Sequence, residues 1–393
     1  RHIITPFAGV VAALPDSKVK LIEGCNKTRC TKYDKNAVHA ALNDGCDAFI
    51  AVVGLTAYSN PGSHLLPVSQ EPSNACGCVV GDGVEGECCD RQDVELPGEQ
   101  LQLLQEIAAG ATRVGKSVIL VTINAGMLDL SWAKNAPSVG AILNAQYLGQ
   151  MAGEALAATL LGESNPAGRL VTTWYGSLDD IGSITDYGMY PRQTKDGQQH
   201  GRTYRYFDGP VLWPFGFGLS FTSFEYSHSY SNAFLGTYSP CETVDIKAML
   251  AISDSDIDGG TTTSSDEVVQ VYVTIHNSTV TTAKHQLVTF SRVTLTGSMH
   301  TKALAFRLLP EDHAVLRDPD FAQTIEPGLR TVWVGGGQPG TAAAGVALTF
   351  SVVGSSSITV DECAAQPGGT GRAVRELVAG DTDAHLWSPQ PLE

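Results

Sequence analysis

The sequence predicts an α/β domain followed by an all-β sandwich, and three observations carry that prediction. Apolar runs of strand length at 48–54, 117–123 and 139–144 are separated by stretches with helical periodicity, the pattern of an α/β layer with a mostly parallel sheet. From 175 to 210 the chain turns Gly-rich and aromatic, with neither period. After Phe221 short apolar-alternating runs recur between turns, which fits a sandwich of the immunoglobulin or fibronectin type III kind. The expected division is 1–174, a connection at 175–220, 221–366, and a tail at 367–393.

Each element has its own warrant. Lys18 to Ile22 alternates like a short strand, and Ala37 to Leu42 reads as helix. Ala48 to Gly54 is continuously apolar, as in a parallel strand buried on both faces. Gly98 to Val114 places Leu101, Leu104, Ile107 and Ala108 on one helical face. Ser117 to Ile123 and Val139 to Asn144 are two further strands. Gln150 to Leu161 is helical, with small residues at Ala152, Gly153 and Ala155; a turn at Asn165-Pro166 and Gly168 leads into a strand-like Leu170 to Trp174. The connection carries Tyr187, Tyr190, Tyr204, Tyr206 and Phe207, so it is expected to pack on the first domain, because disordered linkers are poor in aromatics. Sandwich strands are expected at 244–252, 267–275, 285–293, 302–308, 331–334 and 346–352. The tail after Pro367 is rich in Gly and Ala and is expected to be loosely held.

Composition narrows the function classes. A formal charge of −16 over 393 residues repels phosphate backbones and anionic lipid, so neither nucleic acid nor membrane is an expected partner. No apolar run approaches the roughly 20 residues that span a bilayer. The chain opens on Arg1-His2, which reads as a processed product or an incomplete sequence. Nine cysteines suggest an oxidising compartment. Cys25, Cys30 and Cys46 lie near one another, Cys76, Cys78, Cys88 and Cys89 crowd one segment, and Cys241 and Cys363 flank the last domain. Cys-x-Cys and Cys-Cys lack zinc spacing and no His-x-x-x-His accompanies them, which favours disulfides. The sequons at Asn26 and Asn277 are candidate glycosylation sites and agree with secretion.

Several motifs in order resemble glycoside hydrolase family 3, in its C-terminal half. They are Gly24-Cys25, the strand Phe49 to Leu55, Glu87-Cys-Cys-Asp-Arg91, Leu96-Pro-Gly98, the helix–turn–strand at 147–174, Gly201-Arg-Thr-Tyr-Arg-Tyr206 and Pro214-Phe-Gly-Phe-Gly-Leu-Ser-Phe-Thr222. In the last domain Glu267-Val-Val-Gln-Val-Tyr272, Gln286-Leu-Val288 and Glu326-Pro-Gly328 are similar to the family's fibronectin type III-like domain. The segment from Gly201 to Tyr206 looks most like the β-xylosidase and α-arabinofuranosidase branch. The resemblance implies an α/β/α sandwich whose opening strand is missing, and a preceding barrel that supplies the aspartate nucleophile. It implies a secreted exo-glycosidase acting on oligosaccharide or polysaccharide, with the barrel portion of the same precursor as partner and this chain alone inactive.

Retaining glycosidases need two carboxyl groups flanking the scissile bond, one attacking the anomeric carbon and one protonating the leaving oxygen. Glu87 resembles the family's acid/base position, and Glu85, two residues earlier, is the fallback. Read without the family, both are acids in a polar loop. The Pro-, Gly- and Cys-bearing insertion from Thr56 to Val84 departs from the family pattern and either rims a sugar site or displaces Glu87. Asp90 and Arg91 are read as structural ion-pairing residues. His200 beside the Gly-Arg-Thr-Tyr motif reads as a surface histidine. The ten histidines show no metal spacing, and Gly335-Gly-Gly337 lacks the Lys and helix of a phosphate loop, so no metal or cofactor is expected. Trp132, Trp174 and Trp213 are candidates for stacking on sugars, with buried packing the default. The competing reading is a non-catalytic extracellular matrix or carbohydrate-binding protein on the same scaffold.

Overall fold

The computed structural model describes residues 3–56, 91, 93–183, 185–195, 197–228, 230–253, 256, 264–296, 299–317, 320–365 and 378–379. They form two compact units, one of residues 1–164 with 176–179, the other of 165–175 with 180–393.

The first unit is the α/β domain. Its elements are α1 (Pro6–Ala13), α2 (Lys35–Leu42), β1 (Phe49–Gly54), α3 (Gln100–Arg113), β2 (Val118–Ile123), α4 (Ser131–Asn135), β3 (Val139–Asn144) and α5 (Ala152–Leu160). The strands form a parallel sheet in the order β1-β2-β3. Helices α2 and α3 contribute Val38, Leu42 and Leu103, which pack with Phe49 over one face of β1. Leu120 and Val121 are fully buried in the central strand.

Three details differ from the sequence reading. Strand β1 is buried at Ala51, Val53 and Gly54, while Ile50 and Val52 are 41% and 47% exposed; α2 and α3 cover a single face. Residues 18–22 form no strand, with Leu21 and Ile22 exposed and Lys20 in an ion pair with Asp44. Alternation alone makes no strand without a neighbour to complete the ladder. Helix α1 lacked a marked period because its burial rests on glycine. A Cβ on Gly9 would fall 2.0 Å from the Gly153 carbonyl oxygen, so α1 and α5 meet backbone to backbone.

The second unit begins with β4 (Trp174–Tyr175), β5 (Pro191–Thr194), β6 (Gly197–His200), α6 (Thr203–Tyr206) and β7 (Val211–Trp213). The sandwich strands follow: β8 (Phe224–Ser227), β9 (Phe234–Tyr238), β10 (Val244–Ile252), β11 (Ser264–Ile275), β12 (Gln286–Thr296), β13 (Thr301–Leu308), β14 (Val315–Arg317), β15 (Ala322–Ile325), β16 (Gly328–Gly335) and β17 (Gly345–Val352). One sheet runs β12-β11-β16-β17-β9; the other contains β13-β10-β8, extended by residues 378–379. Strand β10 alternates buried and more exposed residues along its length, and β11 does so up to Val269 before running fully buried through Val273. Their inward side chains, with those of β13, β16 and β17, make one continuous core. The six sandwich strands expected from sequence are all present. Apart from residues 378–379, the tail lies outside the described residues.

The connection was expected to pack on the first domain; its residues 176–179 group with that unit and 180–220 with the sandwich. Gln270 donates to the Gly216 carbonyl at 3.0 Å, Gln338 to that of Phe215 at 2.7 Å, and Lys284 to that of Phe207 at 2.7 Å. The strand expected at 170–174 shrinks to β4, because Leu170 pairs its backbone with Phe217 and Gly216 instead of a sheet partner. Residues 191–200 form a hairpin that no periodicity announced. Just before, Arg169 is buried against Glu267 at 2.8 Å, and Tyr226 donates to the same carboxylate at 3.0 Å. Burial pushes the Glu267 carboxyl up despite the neighbouring guanidinium, so this ion pair stands on geometry and mutual hydrogen bonding.

Candidate active site

In a parallel α/β sheet the loops that can bind ligand leave the carboxyl ends of the strands. Here those ends are Gly54, Ile123 and Asn144. At Gly54, φ is +140° and a Cβ would lie 2.1 Å from the Ile123 carbonyl oxygen, so the family-like Val-Gly-Leu ending requires glycine. Gln100, the buried first residue of α3, locks that strand end. Its Oε1 accepts from Gly54 N at 2.8 Å, and its Nε2 donates to the carbonyls of Gly54 and Thr28 at 2.9 and 2.6 Å.

The Leu96-Pro97-Gly98 element explains how Gln100 reaches its place. Gly98 has φ +58°, and a Cβ there would strike the Arg29 carbonyl oxygen at 1.9 Å. The following residue, Glu99, donates its N–H to Cys30 O at 2.8 Å and accepts from Tyr33 N at 3.0 Å. Helix α3 is thereby stapled to the small loop closed by Cys25–Cys30.

Between the ends of β2 and β3 runs a chain of amides. Asn124 is fully buried and donates to Gly126 O at 2.7 Å. Asn144 Nδ2 donates to Asn124 Oδ1 at 2.9 Å and Thr122 Oγ1 at 3.1 Å, and Gln146 Nε2 donates to Asn144 Oδ1 at 2.8 Å. Gln146 holds φ at +56°, a conformation that costs a non-glycine residue of order 1 kcal/mol and clusters at functional sites. Sequence reasoning missed these residues; the available signal was a polar residue closing an apolar strand run, as in Thr122-Ile-Asn124 and Ile142-Leu-Asn144. The arrangement offers neutral donors and acceptors, a surface suited to hydroxyl groups rather than to charge.

The described chain continues past β1 through Leu55 to Thr56 and is next described at Arg91. Arg91 is half-buried and donates to Asp93 Oδ1 at 3.2 Å, Met127 O at 3.5 Å and Glu95 O. It ties the returning segment to the loop after β2, a structural role like the one expected. Glu87, Glu85 and Asp90 lie outside the described residues, as do Cys76, Cys78, Cys88 and Cys89. Among the described residues Cys241–Cys363 is a second disulfide and Cys46 is in none.

The other sequence candidates have identifiable surroundings. His200 Nδ1 pairs with Asp208 at 2.8 Å and its ring meets Phe207 edge-on, which makes it a brace of the connection. Trp174 is buried edge-to-face with Trp213, which stacks on Phe217. Asn26 is exposed within the Cys25–Cys30 loop. Asn277 is exposed at φ +55°, and its sequon hydroxyl, Thr279, is held by Glu326 and by Arg317.

Comparison with known proteins agrees with this architecture. Residues 1–221 match the family described as Glycosyl hydrolase family 3 C-terminal domain, and residues 267–338 match Fibronectin type III-like domain. A beta-xylosidase from Formosa agariphila is 31% identical over 333 residues, covering 83% of this chain and 41% of that protein. Beta-D-xylosidase 1 from Arabidopsis thaliana is 38% identical over 176 residues, 44% of this chain and 22% of its own length. Each match thus spans less than half of the relative. Among solved structures, an exo-beta-xylosidase complexed with a xylobiose aziridine probe superposes with a TM-score of 0.71 at 22% identity, covering 91% of this chain and 42% of that one. A beta-glucosidase from Listeria innocua complexed with gluconolactone gives 0.64 at 21% identity, covering 89% and 42%. At these identities the superpositions speak for the fold.

Proposed function

The chain belongs to glycosyl hydrolase family 3, and we propose that it forms part of a secreted retaining exo-glycosidase releasing terminal β-xylosyl or α-arabinofuranosyl residues. The observation that carries the reading is the alignment with a beta-xylosidase across 83% of the chain. In this reading Glu87 is the acid/base, four residues along the chain from the anchored Arg91, and Glu85 is the fallback. The nucleophile belongs to the barrel portion of the same precursor. Glu87 protonates the leaving oxygen as the nucleophile attacks the anomeric carbon, then takes a proton from water as the covalent intermediate is hydrolysed. The amides of Asn144 and Gln146, at the carboxyl edge of the sheet, have the chemistry to bind sugar hydroxyls. The exposure of Asn26 and Asn277 supports both as glycan acceptors, testable by the mass lost on enzymatic deglycosylation.

The test uses the complete precursor. It should cleave aryl β-xylosides or α-arabinofuranosides, and this chain alone should cleave neither. Loss of a general acid harms poor leaving groups far more than activated ones. Glu87→Ala should therefore slow natural disaccharides severely, spare aryl glycosides with acidic phenols, and recover turnover with added azide. Glu85→Ala should show neither effect. Exchange of the two phenotypes would move the role to Glu85, and a complete protein that hydrolyses none of these substrates would defeat the enzymatic reading.

A further inference from the structure

The described tryptophans have different fates. Trp174 and Trp213 pack on each other, and Trp333 donates its indole N–H to Gly337 O at 2.9 Å. Trp132 does not share these arrangements. With Ser131, Asn135, Ala136 and Pro137 it lines an open groove of about 510 Å³. Helix α4 does not depend on this indole for its seat, because Leu128, Leu130 and Ala133 are the residues buried at 0–3% exposure. The groove ends at Pro137, just before β3 begins at Val139, whereas the amide chain lies where β3 ends at Asn144. A six-residue strand separates those points by roughly 20 Å.

We propose that this groove is a second carbohydrate-binding site, distinct from the carboxyl edge, that holds a neutral polysaccharide chain with Trp132 as its stacking face. The C–H face of a pyranose or furanose ring packs on an aromatic plane, and its hydroxyls need polar partners at the ring's rim. Both requirements are met. Asn135 Nδ2 is committed to Ser131 O at 2.8 Å, which fixes the amide and leaves its oxygen as an acceptor. Ser131 lines the same groove. The formal charge of −16 selects against carboxylated glycans and for neutral ones. An open groove suits an internal stretch of a long chain, whereas an exo-acting centre takes a chain end. Such a site would hold polymer near the enzyme between cleavages. The choice of xylan as ligand rests on the proposed glycosidase function; the groove does not.

The experiment is native electrophoresis of this chain in gels cast with soluble neutral arabinoxylan. Wild type should be retarded, and Trp132→Ala should weaken apparent affinity by about tenfold, the size of one lost stacking contact. Trp132→Phe should retain part of the retardation, and Asn135→Ala should cost about threefold. Gels containing polygalacturonate should retard wild type little. Circular dichroism and thermal melting check that each variant is folded; should Trp132→Ala fail to fold, Trp132→Phe and Asn135→Ala carry the test. In the complete enzyme, Trp132→Ala should leave kcat/KM on an aryl xyloside unchanged. The proposal is overturned if wild type is not retarded by arabinoxylan, if the folded variants are retarded like wild type, or if aryl xyloside turnover falls with Trp132→Ala. Because the gel reads binding without turnover, a precursor that hydrolyses nothing would sink the enzymatic reading and leave this one standing.

Discussion

His313 should make the sandwich sensitive to mild acid, by an amount the structure allows to be worked out. The imidazole is 1% exposed, neither ring nitrogen has a hydrogen-bond partner among the described residues, and its ring meets Phe350 edge-on at 5.5 Å. Burial, reinforced by the positive charge of Arg330, holds its pKa down at about 3, against 6.5 for an ordinary histidine. As pH falls through 6.5 the unfolded chain takes up a proton that the folded chain refuses, so stability falls with pH until about pH 3 and then levels off. Linkage between those two values gives a loss of about 2 kcal/mol from pH 7 to 5, and about 3 kcal/mol by pH 4. His313→Leu should remove this loss. It should also stabilise at pH 7 by about 1 kcal/mol, since a buried unsatisfied polar group is replaced by an apolar one. Urea melts followed by far-UV circular dichroism at pH 7 and pH 5, on both proteins, measure the difference. If wild type and His313→Leu lose the same stability between the two pH values, the buried neutral histidine is not what responds to acid.

Two further expectations follow from geometry. Replacing Cys241 and Cys363 by serine opens a link across 122 residues, which should cost about 2–5 kcal/mol and shift the urea midpoint of the sandwich; an unchanged midpoint would show that strand packing alone closes this unit. Gly98→Ala forces a Cβ to within 1.9 Å of the Arg29 carbonyl oxygen at φ +58°, so it should destabilise the α/β unit by more than about 1 kcal/mol. Its melting temperature should drop by several degrees, whereas Gly115→Ala, at φ +68° in open space, should cost less.

How much was legible depended on whether a signal was local. Residues 244–252 alternate buried with exposed or half-buried positions along the whole strand, and a period of two survives in the sequence because each inward residue meets the same core. Helix α3 carries its 3.6-residue stripe for the same reason, with Leu104, Ala108 and Ala111 buried on one side. The Leu-Pro-Gly motif was readable as a motif, but its purpose, seating Gln100 against Gly54, appears only once the Cys25–Cys30 loop is beside it. The amide chain Asn124–Asn144–Gln146 was not readable, because each member comes from a different strand end or loop and is ordinary alone.

The amino-acid sequence by itself determined the order of α/β unit and sandwich, most of their strands and helices, and the family resemblance, all of which rest on periodicity, turn residues and short motifs. Only the tertiary structure decided which faces and pairings those elements use. It left Ile50 and Val52 uncovered on β1, grouped residues 180–220 with the sandwich, and set Arg169 against Glu267, 98 positions further along the chain. It also separated Trp132, beside an open groove, from Trp174 in the core. Such pairings depend on shape and burial between distant segments, and a one-dimensional pattern carries no term for them.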